Sequence, residues 1–435
     1  MTDDLFLEME ATQFTKTGQA ACGDDVQLLT IEKENRSLAA LSDGLGSGVK
    51  AHVLANMTTT MALRFMQSNL DLLESVEIIM DSLPVCEVRK ISYATFSLFD
   101  YHLGGRARII EMGNPAYVHL RGTEEVAPAK DRTVVSAHWP DREVREVEVD
   151  VEPGDRIILC SDGVTQSGLG SGQAAYKFGW RRSGMLAFAQ RMISSEPDLS
   201  AADLARRIAC FAKNITPESC KDDISCLVIY FRHPRVLRIL TGPPYYKEHD
   251  AEFARQANLG EDHVIICGGT TANILERELG GRVKIDLAAM RNAGGLPPSG
   301  ILPGVGLCTE GILTLSHVCK ALEEKQSPIG QPLAARQILE RLLTHDRIEF
   351  VIGTKVNESH QDPNIPQDLE LRRSVFKRMQ TALEKNYRKI VTGNYYGRTP
   401  FKTASRRLNE PMNAPPPHQC RPFATYHCLT SDDVR

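Results

Sequence analysis

Four short acidic motifs in this chain are each set against an expected strand, three of them at the edge of an apolar run, where solvated charges are normally avoided. The motifs are Gly23-Asp24-Asp25, Ser42-Asp43-Gly44, Ser161-Asp162-Gly163 and Lys221-Asp222-Asp223-Ile224. Leu38-Ala39-Ala40-Leu41 precedes Asp43, Ile157-Ile158-Leu159-Cys160 precedes Asp162, and the run Ile224 to Tyr230 follows Asp222. A carboxylate beside a core is costly unless it is paired or binds a cation. Several such carboxylates converging point to a hard-cation site, and ligation by oxygen alone suits Mg²⁺ or Mn²⁺.

The chain has 435 residues, enough for two or three domains. With 42% hydrophobic and 24% charged residues it has the composition of a soluble globular protein. A net charge of −4 gives no electrostatic reason to expect nucleic acid or an anionic membrane as partner. Met1-Thr2-Asp3-Asp4-Leu5 has neither a basic nor an apolar stretch of signal-peptide type. No apolar run approaches the ~20 residues that span a bilayer, so a cytoplasmic location is expected. The 11 cysteines contain no C-x-x-C pair. Cys160, Cys226 and Cys267 lie inside apolar runs and are expected to be buried, reduced thiols. Cys420 and Cys428, near His418 and His427, have the residue types of a zinc site, but in a Pro-rich stretch where such a site is not expected.

Residues 26–32 and 38–42 read as two β runs joined by a polar turn. Gly44-Leu45-Gly46-Ser47-Gly48 then opens a helical pattern carried by Val53, Leu54, Met57, Met61, Leu63 and Met66. A second helix is expected over roughly 70–83. Ser92 to Asp100 and Ala107 to Glu111 alternate around Leu103-Gly104-Gly105 as a hairpin does. Further strands are expected at Tyr117–Arg121, Arg145–Val151, Arg156–Cys160 and Ile224–Phe231, with helices around 185–194 and 200–213. This order predicts an α+β fold: a β-sandwich of antiparallel sheets with flanking helices. His233-Pro234 ends it. From Val236 short continuous apolar runs (236–240, 263–267, 348–352) alternate with helical stretches near 250–257, 271–279, 311–323 and 332–343. That pattern predicts a smaller α/β domain with a partly parallel sheet. The expected division is therefore 1–235, 236–398, and a Pro-rich, loosely ordered tail over 399–435.

In order and approximate spacing the four motifs resemble those of the metal-dependent type 2C (PPM) Ser/Thr protein phosphatases, and most of all the bacterial branch typified by stage II sporulation protein E. The strand Ala94-Thr95-Phe96-Ser97-Leu98 and the turn Gly113-Asn114-Pro115-Ala116 also match that branch, and the resemblance covers about residues 10 to 232. It implies a protein phosphatase that hydrolyses phosphoserine or phosphothreonine of a regulatory protein through water activated by two Mn²⁺ or Mg²⁺ ions. It implies that Asp43 bridges both metals, that Asp24 holds the pair from one side, and that the Gly44 carbonyl completes one shell. Asp162 and Asp222 would ligate the other metal. Substrates of anti-anti-sigma type are implied as partners, and a homodimer is compatible. The eukaryotic relatives carry an N-terminal arginine that grips phosphate. The stretch Ala11 to Ala21 has none, as is common in the bacterial branch.

Other readings stand beside these. Asp25 is either a supporting group or simply solvated, and Asp223 is expected to orient rather than ligate. Lys16 and His52 are expected to face solvent, and Asp100 and Asp155 to be turn residues. Gly268-Gly269-Thr270-Thr271-Ala272 follows a strand and opens a helix. It could face an anion, but a tight turn capped by Thr270 or Thr271 is favoured. Thr309-Glu310-Gly311 and Gly353-Thr354-Lys355 sit at similar boundaries, so the second domain could sense a small ligand or dock a partner. The competing function is a non-catalytic scaffold that binds a phosphoprotein. A nucleotide-binding reading of the Gly44–Gly48 loop lacks the Lys-Ser/Thr ending of a P-loop, and a third reading is a nucleotide-hydrolysing enzyme that uses the Gly268–Ala272 loop.

Overall fold

Strands rich in apolar residues lie in the middle of the sheets, covered on both faces, and strands with little apolar signal lie at the edges. The computed structural model describes residues 5–44, 46–70, 72–82, 94–139, 142–215, 220–285, 295–355, 368–387 and 389–397. The stretch 399–435, with its cysteines and histidines, and Leu45 lie outside the described residues. Internal contacts divide the chain into two units that meet between His233 and Pro234.

The first unit contains, in order, β1 (Phe6–Phe14), β2 (Asp24–Ile31), β3 (Arg36–Gly44), α1 (Gly48–Gln67), α2 (Leu72–Ser82), β4 (Ala94–His102), β5 (Ala107–Met112), β6 (Val118–Arg121), β7 (Glu124–Glu125), β8 (Lys130–Val135), β9 (Glu143–Val149), β10 (Asp155–Cys160), α3 (Asp162–Thr165), α4 (Arg181–Ser195), α5 (Ala201–Ile215) and β11 (Ile224–Arg232). Two antiparallel sheets result, ordered β1-β11-β10-β6-β7 and β2-β3-β4-β5-β9-β8. Every residue of β10 and β11 is buried, which is why they read as unbroken apolar runs. Val26, Leu41 and Phe99 of one sheet meet Ile157, Leu227 and Phe231 of the other to form the sandwich core. Helices α4 and α5 cover the outer face of the first sheet through Met185, Ala189, Leu204 and Ile208. Helices α1 and α2 cover the second through Leu54, Ala62, Ile79 and Met80. The fold is the expected α+β sandwich with flanking helices.

Strands β2 and β3 run further than their apolar residues suggest. Antiparallel pairing continues to Asp24 and Asp43, because β4 extends the ladder beside them. The sequence reading misses β1, whose residues are half-buried for eight of nine positions, and β8, which is almost wholly exposed. Both are edge strands with too little apolar signal.

The second unit contains β12 (Val236–Thr241), α6 (Asp250–Arg255), β13 (Val264–Cys267), α7 (Gly269–Leu279), β14 (Lys284–Ile285), β15 (Gly300–Leu302), β16 (Gly306–Thr309), α8 (Ile312–Glu323), α9 (Leu333–Thr344), β17 (Arg347–Gly353), α10 (Asp368–Tyr387) and β18 (Ile390–Tyr396). Its single sheet is ordered β14-β15-β16-β13-β12-β17-β18. The strands β16 to β18 pair in parallel, and β14 and β15 pair antiparallel at one edge. Strand β18 escapes a sequence reading because Gly393 interrupts it. The ring of Phe376 occupies that space, and a Cβ on Gly393 would come within 2.6 Å of it. The expected threonine cap on α7 is not observed. The helix begins at Gly269, Gly268 is its N-cap at φ 107°, and Thr271 falls inside the first turn.

Candidate functional site

Asp24 and Asp43 are direct cross-strand neighbours at the end of the β2–β3 ladder. The chain leaves β3 through Gly44, whose N–H donates to the Gly23 carbonyl at 3.3 Å. A Cβ on Gly44 would sit 2.2 Å from the Ala51 carbonyl oxygen, so α1 can start this close to the aspartates only over a glycine.

The other two motifs come from the other sheet. Where β10 ends, the Ser161 N–H donates to the Ser225 carbonyl at 3.0 Å. The Ser225 N–H returns the bond to Ser161 Oγ at 3.0 Å. This reciprocal pair holds Asp162, just after β10, beside Asp222 and Asp223, just before β11. The packing is close: a Cβ on Gly163 would lie 1.9 Å from the Asp223 carbonyl oxygen. The two sheets are joined by Ser225, whose hydroxyl donates to Asp24 Oδ2 at 2.6 Å. Ser225 Oγ in turn accepts from Gln13 Nε2 of β1 at 3.0 Å. Asp24, Asp43, Asp162 and Asp222, separated by up to about two hundred residues in sequence, thus share one end of the sandwich.

Their electrostatics reflect this crowding. Burial pushes the Asp43 carboxyl far above the usual carboxylate range, and the charges of Asp24, Asp162 and Asp222 push it the same way. Burial also raises Asp24, against hydrogen bonds from Ser225 and Ser161 that hold it down. Asp222 is raised by burial and by Asp162, while Lys16 acts in the opposite direction. Asp162 Oδ2 accepts from Gln166 Nε2 at 2.8 Å. Its Oδ1 is buried and has no hydrogen-bond partner among the described residues. Beside Asp222 a cleft of about 130 Å³ opens between Gly163, Gln166, Cys220 and Lys221.

This arrangement fits divalent cations. Like charges crowded in a partly buried place are relieved by holding protons or by a cation, and a divalent cation relieves several of them at once. Among the described residues no three carboxylate, imidazole or thiol groups surround one point closely enough to enclose an ion by themselves.

Asp25 is not solvated. It is 9% exposed, and Thr59 of α1 and Gln27 of β2 both donate to its Oδ2. Asp223 is buried, and its Oδ1 accepts the Lys16 backbone N–H at 2.9 Å. His52 is half-buried on α1, and its Nδ1 is enclosed without a partner among the described residues. Asp100 and Asp155 are more than turn residues. Asp100 lies within β4 and forms a two-pronged pair with Arg36, at 2.8 Å on each oxygen. Asp155 is fully buried and accepts from Arg121 and from His119 Nε2. Sequence reasoning missed Ser225, Ser161, Gln13 and Gln166 as supports of the site. Ser161 and Ser225 do flank two of the acidic motifs, which is the signal that could have found them.

Residues 33–232 match the family model described as stage II sporulation protein E (SpoIIE). No curated protein matches the chain in sequence. The chain is similar to the solved phosphatase domain of the cell-fate determinant SpoIIE from Bacillus subtilis, at 18% identity and a TM-score of 0.39, over 54% of this chain and 95% of that one. A second structure, of the PP2C domain and a regulatory fragment of the same protein, has 19% identity and a TM-score of 0.42, over 53% and 65% of the two chains. The RsbU and RsbW domains of a Mycobacterium tuberculosis protein are matched at 15% identity and a TM-score of 0.38, over 67% of this chain and 74% of that one.

Proposed function

We propose, on the match of residues 33–232 to the family model described as stage II sporulation protein E, that the first unit removes phosphate from serine or threonine of a phosphorylated regulatory protein. The observation that carries the reading is the convergence of Asp24, Asp43, Asp162 and Asp222 on one end of the sandwich, where burial and mutual repulsion push Asp43 and Asp222 upward.

Asp24, Asp43, Asp162, Asp222 and the Gly44 carbonyl are the groups proposed to hold two Mn²⁺ or Mg²⁺ ions. Such ions, when bound, supply an activated water and neutralise charge on phosphoryl oxygens. The protein's own groups prepare the place. Ser225 and Ser161 fix the Asp24 carboxylate, and Gln166 holds Asp162 by Oδ2, leaving its buried Oδ1 without a hydrogen-bond partner among the described residues. The glycines at 44 and 163 let the two motif backbones close up. No nucleophilic side chain is required, so no covalent phosphoenzyme is expected.

The test is hydrolysis of p-nitrophenyl phosphate by the full-length protein with Mn²⁺, with EDTA, and in Asp43→Ala and Asp162→Ala. Turnover that needs Mn²⁺ and falls in both variants by more than the about 10- to 100-fold typical of losing a supporting group agrees with the proposal. Full metal-dependent activity in Asp43→Ala would overturn it. Mn²⁺ binding without turnover on p-nitrophenyl phosphate or on any phosphoprotein would favour the scaffold reading.

A further inference from the structure

The parallel strands of the second unit send their helices to two faces. Helices α6 and α7 pack through Phe253, Ala254, Ile274 and Leu275 on one face. Helices α8, α9 and α10 pack through Leu315, Ile338 and Met379 on the other. In open sheets of this kind ligands bind beyond the carboxyl ends of the strands, where neighbouring strands diverge to opposite faces. Two neighbouring pairs do so here, β12 with β17 and β13 with β16. The first is closed: Gly353 lies against Pro243, and a Cβ there would come within 2.1 Å of the Pro243 carbonyl oxygen. The second is lined by glycines. Gly268 and Gly311 meet at ordinary contact distance, a Cβ on Gly311 lying 3.4 Å from Gly268, and the space is at Gly269, where a Cβ would meet nothing within 4 Å.

Helices α7 and α8, of 11 and 12 residues, both begin at this opening, and neither N-cap residue supplies a side-chain cap. Their first N–H groups lack intrahelical acceptors and carry the positive end of the helix dipole. Glu310 takes one of them, accepting the Leu313 N–H at 3.2 Å. The independent observation is Thr271. It is 1% exposed, and its hydroxyl has no partner among the described residues. That Oγ1 lies 3.6 Å from where a Cβ of Gly268 would stand, so the hydroxyl points back into the turn. Thr314, in the first turn of α8, is likewise buried with an unpartnered hydroxyl among the described residues.

We propose that the turn Gly268–Thr271, together with the start of α8, binds a phosphate group, with the Gly269 and Thr271 amides and the Thr271 hydroxyl as donors. Donors without acceptors in a dry turn select an oxyanion. The neighbouring Glu310 carboxylate disfavours a polyphosphate, so the group is a single phosphate, free or carried by a small metabolite. The site lies wholly in the second unit and does not depend on hydrolysis in the first.

The test is hydrogen-exchange mass spectrometry on the full-length protein in EDTA, titrated with inorganic phosphate, ribose 5-phosphate or chloride at matched ionic strength. Phosphate should slow exchange in peptides covering residues 268–274 and 311–315, and chloride should not. Equal protection by both phosphates marks free phosphate as sufficient, and tighter binding of ribose 5-phosphate marks a metabolite. Thr271→Val, which keeps the shape, should weaken binding about tenfold or more, and Thr271→Ser should retain it. No protection by either phosphate at ten times the about 1 mM upper end of ordinary metabolite affinities would overturn the proposal. Undiminished binding by Thr271→Val would overturn the role given to its hydroxyl.

Discussion

Ser225 donates its hydroxyl hydrogen to Asp24 Oδ2 at 2.6 Å, and so ties together two residues that lie 201 positions apart in the chain and in different sheets. The bond does two things. It satisfies one oxygen of a carboxylate that is 2% exposed, and it sets the distance between the sheet ends that carry the acidic motifs.

Ser225→Ala should therefore cost the first unit about 1–3 kcal/mol, the range for leaving a buried polar group unsatisfied. Urea unfolding of the full-length protein checks this, read on the transition that Mn²⁺ shifts. The same variant should bind Mn²⁺ more weakly, because Asp24 is no longer held in one orientation. An unchanged midpoint together with unchanged Mn²⁺ affinity would mean that the bond contributes nothing.

Metal removal should expose the repulsion among the four aspartates. Thermal unfolding of the first unit should occur at a lower temperature in EDTA than with excess Mn²⁺, since a cation that binds only the folded form stabilises it by mass action. Asp43→Asn removes the carboxyl that burial and Asp24, Asp162 and Asp222 drive toward its protonated form. That variant should be more stable than the wild type in EDTA and should gain little from Mn²⁺. A wild-type protein indifferent to Mn²⁺ would contradict the cation assignment.

Glu111 gives a pH dependence away from the aspartates. Burial pushes its carboxyl from 4.5 up to about 7, against the Tyr117 N–H, Arg145 and Arg182. The folded state therefore holds this proton more tightly than the unfolded chain does. The associated stability is fully present below 4.5 and is lost as pH rises through about 7. Relative to Glu111→Gln, the wild type should lose about 3 kcal/mol over that interval, at about 1.4 kcal/mol per unit. Parallel stability–pH curves for the two proteins would show that Glu111 does not titrate this way.

Arg36 and Asp100 are both nearly enclosed, with side chains 3% and 7% exposed. Arg36→Met alone strands a buried carboxylate and should cost about 3–5 kcal/mol. The double change Arg36→Met with Asp100→Leu should recover most of that loss, because an apolar pair of similar volume replaces a desolvated ion pair. Equilibrium unfolding of the single and double variants measures the coupling directly.

The acidic motifs and the strands they border were legible from residue order alone, as were most helices, because apolar periodicity and charge position are local properties. Edge strands such as β1 and β8 were not, since half-buried or exposed positions carry little of that signal. The supporting residues were not either: nothing local marks Ser225 as the partner of Asp24, or Gln13 as the partner of Ser225. Asp100 and Asp155 show the same limit in reverse. Each stands near a glycine turn in sequence, yet each is a buried, paired charge, because its cation arrives from another strand.

Residue order alone shows which residues carry charge at the margins of the core, that an α+β sandwich is followed by an α/β unit, and that residues 33–232 match the family model described as stage II sporulation protein E. The folded chain adds that four aspartates share one end of the sandwich, that Thr271 lies inside α7 with its hydroxyl turned back toward Gly268, and that Gly353 packs against Pro243 while Gly269 faces open space. The physical reason is that charge repulsion, hydrogen-bond satisfaction and steric clearance depend on distances in space. Those distances exist only after strands far apart in the chain have paired.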